Sequence, residues 1–103
     1  MPQPNTVERT RIEIKTDLTQ PTEYSVIYVN DEMTTVDFVI SSLMEVFSYS
    51  ITDAVDMTQT IHDQGHARVA VLPYELAEQK TLEVLTLAKL SGYPLVVKVE
   101  PVI

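Results

Sequence analysis

A chain of 103 residues, 45% hydrophobic and 21% charged, suffices for one domain around one modest core. Its 15 acidic against 7 basic residues give a formal net charge of −8 with Lys and Arg scattered, so nucleic acid and anionic membrane surfaces are not expected partners. The lack of cysteine excludes disulfides, thiolate catalysis and Cys-ligated zinc, and no apolar run approaches the roughly 20 residues of a membrane span.

The first 22 residues hold Pro2, Pro4 and Pro21 among polar and charged residues with no sustained apolar period, which predicts a flexible N-terminal extension. Within it, Arg11-Ile12-Glu13-Ile14 alternates briefly, enough for an edge strand in some contexts. No secretory-type apolar core is seen there, so a cytoplasmic protein is expected. A core domain should occupy 23–103. It begins with a strand over Tyr24–Val29, rich in β-branched and aromatic residues. Asn30 and Asp31 then mark a turn, because their short side chains compete for nearby backbone groups. Thr34 followed by Asp37 approximates a capping box, so a helix should follow.

From Thr35 to Phe47, Val36, Val39, Ile40, Leu43, Met44 and Phe47 recur at helical spacing, with Phe38 off the stripe, and are expected to face the core. Ser50 with Asp53 predicts a second helix from about Ile51 to Asp63, directing Ala54, Met57 or Thr58, and Ile61 inward, with Gly65 ending it. The short link Ser48-Tyr49-Ser50 makes the two helices a hairpin. A strand over His66–Leu72 follows, and Pro73 closes it while presetting a third helix to about Ser91. That helix would use Leu76, Ala77, Leu85 and Ala88, widened by Val84, Leu87 and Leu90. Gly92 and Pro94 stop it, and a last strand runs over Leu95–Val99 to Pro101. The order β-α-α-β-α-β implies an α+β two-layer sandwich of a three-stranded antiparallel sheet and three helices.

The strand-to-helix junction gathers backbone N–H groups beside amide and carboxylate oxygens, which suits a small polar group such as an amine; turn chemistry alone also explains it. His62, at the end of the second helix, is either a capping histidine or a functional one at the border of packed and wet surface. His62 and His66 have the spacing of a helical metal pair, with Asp31, Glu32 and Asp63 as available acids, but Gly65 breaks the helix between them, so no metal or other cofactor is expected. There is no nucleophile elbow, and two glycines do not build a phosphate-cradling loop. Asp31 and Glu32 are adjacent acids in a turn, a weak basis for acid/base catalysis. Binding is better supported than an enzyme.

Tyr24–Thr34, Asp37-Phe38-Val39-Ile40, Phe47-Ser48-Tyr49, His62-Asp63-Gln64-Gly65, Leu76–Lys80 and Tyr93-Pro94-Leu95 together resemble the ClpS family, adaptors that carry N-degron substrates to a Clp AAA+ protease. The resemblance spans about Tyr24 to Val102. It implies that Asn30, Glu32 and His62 hold the free α-amino group of a destabilising N-terminal residue, with Asp31 and Thr34 completing the α-amino and peptide-backbone site. An ammonium has three donors, and charge-assisted hydrogen bonds are roughly twice as strong as neutral ones. For His62 to accept, one imidazole nitrogen must be unprotonated, so acidification should weaken binding.

The resemblance further implies a pocket for the first side chain at Val29, Val36, Val39, Thr58, Ile61 and Leu95, and docking of a ClpA-like or ClpC-like unfoldase N-terminal domain through Glu75 and Lys80. The expected partners are proteins with a bulky hydrophobic N-terminal residue and that unfoldase, met by a monomer. Glu32, Thr35, Val36 and Thr58 depart from the family pattern, which has a second Asp, a Pro after the Thr and Met at two pocket positions. A roomier or reshaped pocket follows, admitting β-branched residues or favouring a large aromatic. A competing expectation is a module like the C-terminal domain of the ribosomal stalk protein, of similar architecture without the amine site.

Overall fold

In the computed structural model, which describes residues 22–103, six elements follow in order: β1 (Tyr24–Val29), α1 (Val36–Phe47), α2 (Ile51–Gln64), β2 (His66–Leu72), α3 (Tyr74–Leu90) and β3 (Val96–Pro101). The expected N-terminal extension, with its Arg11–Ile14 alternation, lies outside the described residues.

The strand order is β2-β1-β3 and both pairings are antiparallel, which puts the most apolar strand in the middle. Side chains alternate across the sheet. Val26 and Tyr28 of β1 are fully buried, and Ala67 and Val69 of β2 join them in the core. Val97 and Val99 of β3 pack against the same cluster. His66, Arg68, Val96, Lys98 and Glu100 are exposed on the other face. The register shifts at Val26/Ile27, where Val26 pairs with Ala70 but Ile27 with Arg68, so Val69 is the extra residue of a bulge. Helices therefore cover one face only. Helix α3 packs on all three strands, α2 lies beside β2, and α1 packs on α2 and α3. This is the two-layer α+β arrangement expected from the element order.

Two helix faces differ from their apolar spacing. In α1 the buried residues are Val39, Ser42, Leu43 and Val46, while Val36 and Met44 are exposed. Ser42 takes a core position because Tyr28 needs a partner there: the Tyr28 hydroxyl donates to Ser42 Oγ at 2.8 Å, and Ser42 donates to the Val39 carbonyl at 2.9 Å. Burial pushes the Tyr28 phenol far above its ordinary value, with the Ser42 hydrogen bond opposing and Tyr49 adding to the rise. In α3 the buried residues are Ala77, Thr81, Val84 and Ala88, whereas Leu76 and Leu90 are exposed. Small residues let α3 lie close to the sheet, and the larger leucines flank the contact rather than form it.

The first helix is capped by Thr35, one residue later than the capping-box spacing suggests. Thr35 Oγ1 accepts the Phe38 N–H at 3.2 Å, while Thr34 is held in the preceding turn by its amide and hydroxyl, both donated to Asp31. Helix α2 begins as expected, with Ser50 Oγ accepting the Asp53 N–H at 3.1 Å. Between them Ser48 adopts a left-handed conformation, φ 59°, and the Tyr49 hydroxyl donates to the Val69 carbonyl at 2.6 Å, fixing the tight link to β2. Gly65 ends α2 at φ 85°, its N–H donating to the Ile61 carbonyl at 2.9 Å.

Candidate functional site

Where β1 stops, the Asn30 N–H donates to the Gly65 carbonyl at 2.9 Å. One bond thus joins the end of the central strand to the C-cap of α2, three residues beyond His62 in that helix's last turn. The chain then folds around Asp31. Its Oδ1 accepts the N–H groups of Met33 at 2.8 Å and Thr34 at 2.7 Å, and its Oδ2 accepts the Thr34 hydroxyl at 2.7 Å. Burial raises the Asp31 carboxyl, but the Thr34 amide, the Thr34 hydroxyl and the Met33 amide outweigh it and hold the group below its ordinary value. Behind the junction, the Thr35 hydroxyl donates to Tyr93 Oη at 3.3 Å, and the Tyr93 and Phe38 rings meet edge to face with centroids 5.2 Å apart.

These contacts open a hollow of about 330 Å³ between the junction, α1 and α2. Asn30, Asp31, Glu32 and Thr34 from the junction and His62 from α2 supply its polar lining. Val36 and Val39 from α1 and Thr58 and Ile61 from α2 supply the rest. The Thr58 hydroxyl donates to the Ala54 carbonyl at 2.7 Å, so this wall asks no polar partner of a ligand. Thr34 has likewise given its proton to Asp31, leaving its oxygen as an acceptor. Among the described residues, neither the Glu32 carboxylate nor the His62 imidazole is spent on a hydrogen bond, and both residues are exposed. Chemically, the hollow combines free acceptors with apolar walls, which matches an ammonium attached to a hydrocarbon.

Nine of the eleven expected amine-site and pocket residues therefore line one hollow. Val29 and Leu95 do not. Val29 follows buried Tyr28 and so lies on the opposite face of the sheet, lining an open depression with His66 and Lys98. Leu95 is 7% exposed and belongs to the core. His66 is separated from His62 by the left-handed Gly65 and sits on that same opposite face beside Val29. Among the described residues no group of three or more His, Cys, Asp or Glu side chains is placed to hold a metal.

Glu75 and Lys80 lie elsewhere. Glu75 borders a larger depression of about 720 Å³ between α1 and α3, together with Glu45, Glu78 and Glu83 around Val46, Leu82 and Leu87. Lys80 Nζ donates to the Val46 carbonyl at 3.0 Å, satisfying an orphan acceptor in the last turn of α1. The bond that closes the candidate site, Asn30 to Gly65, had no signature in the sequence because it runs between backbone atoms of two separate elements. Tyr93, which backs the junction, was visible only as part of a motif.

Comparison with known proteins identifies the family and the fold. Residues 19–98 match the family model described as ATP-dependent Clp protease adaptor protein ClpS. The chain is 39% identical over 87 residues to the ATP-dependent Clp protease adapter protein ClpS of Nautilia profundicola, covering 84% of this chain and 90% of that one. It is 37% identical over 100 residues to its counterpart in Campylobacter jejuni, covering 97% and 98%. A solved structure of Agrobacterium tumefaciens ClpS2 bound to L-phenylalaninamide superposes with a TM-score of 0.77 at 35% identity, covering 81% of this chain and all of that one.

Proposed function

This chain belongs to the ClpS family of adaptor proteins for the ATP-dependent Clp protease, and from that premise we propose that it captures proteins by a free α-amino group and a bulky hydrophobic first side chain and hands them to a Clp unfoldase. The observation that carries the reading is the convergence of unspent acceptors, Asn30, Glu32 and His62, on the rim of an otherwise apolar hollow. L-phenylalaninamide, the ligand named for the Agrobacterium relative, consists of a free amine, a benzyl group and a carboxamide in place of a peptide bond. The same chemistry suits this hollow. The amine donates to Glu32, His62 and the Asn30 side-chain oxygen, and the first side chain enters between Val36, Val39, Thr58 and Ile61.

Within this arrangement Asp31 shapes the loop and adds negative potential, since three of its acceptor positions are already filled. Thr34, with its proton committed, accepts from the next peptide N–H. His62 accepts through an unprotonated imidazole nitrogen. Val36 and Thr58 are short side chains at the wall, which makes the hollow roomy enough for β-branched or large aromatic first residues. The family's docking role falls to the α3 face that carries Glu75 and Lys80, with a ClpA-like or ClpC-like N-terminal domain as the partner, a monomeric adaptor, and the bacterial cytoplasm as the setting.

The test is fluorescence anisotropy with a labelled Phe-initiated peptide and its N-acetylated twin. Acetylation leaves the side chain but removes the charge and two donors, and hydrogen bonds to charged groups are worth about 1.5–3 kcal/mol each. At least a roughly 100-fold loss of affinity is expected. Equal binding of the two peptides overturns the reading.

A further inference from the structure

We propose that the groove between α1 and α2 holds a second subsite, contiguous with the first hollow, which takes an apolar side chain of the second residue of the bound N-terminus. The inference rests on the reading of the first hollow as the site of residue one. Beside that hollow lies another of about 340 Å³, lined by Val36, Ile40, Val55, Thr58, Gln59 and His62. Val36, Thr58 and His62 line both, so the two are separated by a wall one side chain thick. Consecutive Cα atoms in a peptide are about 3.8 Å apart. A chain whose amine is held at the rim, with its first side chain in the first hollow, brings its second residue within reach of that wall.

The lining states what the second hollow accepts. Val55 is 46% exposed and Val36 is 60% exposed, so neither is spent on the protein's own core. Both are apolar surface kept open at the mouth of a groove. Its hydroxyl proton and one amide donor are already engaged: Gln59 Nε2 donates to Asp63 Oδ1 at 2.8 Å, and Thr58 Oγ1 donates to the Ala54 carbonyl. The His62 imidazole belongs to the amine site. A polar second side chain therefore gives up water for a mostly aliphatic wall, whereas an aliphatic one covers Val55 and Ile40.

The test uses the full chain and C-terminally labelled peptides that begin Phe-Ala, Phe-Leu, Phe-Ile, Phe-Asn and Trp-Ala, with N-acetylated forms of the first two, read by anisotropy against wild type and Val55→Ser. Half-burying a Leu side chain should make Phe-Leu roughly 5-fold tighter than Phe-Ala. Phe-Asn should not gain. Val55→Ser should erase the advantage of Leu while leaving Phe-Ala binding unchanged. Equal affinities for Phe-Ala and Phe-Leu, both abolished by N-acetylation, overturn the second subsite and leave the first intact. A Val55→Ser protein that reorders Phe-Ala against Trp-Ala assigns the groove to the first side chain and also overturns it. Absence of any amine-dependent binding overturns both readings.

Discussion

Val36→Met is the substitution that bears most directly on which first residues this protein takes. Val36 opens α1, is 60% exposed and forms wall for both hollows of the α1–α2 groove. Methionine is longer, unbranched and a better helix former, so stability should change by no more than about 0.5 kcal/mol. Its thioether end reaches across the mouth of the 330 Å³ hollow, where a side chain branched at Cβ carries its extra methyl. Crowding a packed site in this way costs about 1–3 kcal/mol, which at about 1.4 kcal/mol per decade is roughly a 5- to 150-fold loss for Ile- and Val-initiated peptides. Phe- and Leu-initiated peptides present a methylene at that point, and their affinities should move less than about threefold. Competition anisotropy with four peptides differing only in residue one, alongside thermal melts of both proteins, reads the effect. An unchanged ranking of the four in Val36→Met, with the melt also unchanged, refutes the idea that the short residue sets the width of the mouth.

Two further substitutions probe the scaffold beneath the site. Asp31→Asn keeps the shape but exchanges a carboxylate oxygen for an amide that opposes the Thr34 hydroxyl, and should cost about 1 kcal/mol at neutral pH in urea unfolding. Because the native carboxyl titrates below its ordinary 3.8, its stabilisation is complete above that value and disappears as pH falls through the lower native one. The gap between wild type and Asp31→Asn should therefore close in acid, and a gap of the same size at both pH values contradicts the role given to the charge. Thr81 Oγ1 is buried on α3 without a partner among the described residues. Thr81→Val, of the same shape, should stabilise by about 1 kcal/mol, read as a melting temperature roughly 4–8 °C higher; a lower one means the hydroxyl is satisfied.

Local rules located the elements wherever one residue decides a boundary. Gly65 in the left-handed region ends α2, and Ser50 caps its start, both positions whose chemistry is written in a single side chain. The start of α1 was harder because Thr34 and Thr35 are identical as caps. What sets them apart is Asp31, which holds the Thr34 amide and hydroxyl in the turn, so that the helix starts one residue later with Thr35 meeting Phe38. Core faces were misread where hydrophobic size stood in for position: Ala77, Thr81, Val84 and Ala88 keep the spacing of a helix face, yet the bulkier Leu76 and Leu90 drew attention to its flanks.

The site divides along the same line. Its polar rim is carried by residue identities in short motifs, so resemblance could name Asn30, Glu32 and His62 without any coordinates. Whether they meet depends on the backbone bond from Asn30 to Gly65, which no residue type encodes, since any amide and any carbonyl would serve. Val29 shows the converse. Strand alternation alone, with Val26 and Tyr28 turned inward, puts Val29 on the outer face, a period legible in the sequence without any motif. As site residues, Ile40, Val55 and Gln59 escaped both kinds of reading. Val55 and Gln59 belong to no shared motif and Ile40 read only as part of an apolar stripe and a motif; as positions of two different helices they become neighbours because the three-residue link folds α1 back along α2, so that the start of one lies beside the end of the other. Selectivity beyond the first residue is on this proposal a property of that hairpin and not of any stretch of sequence.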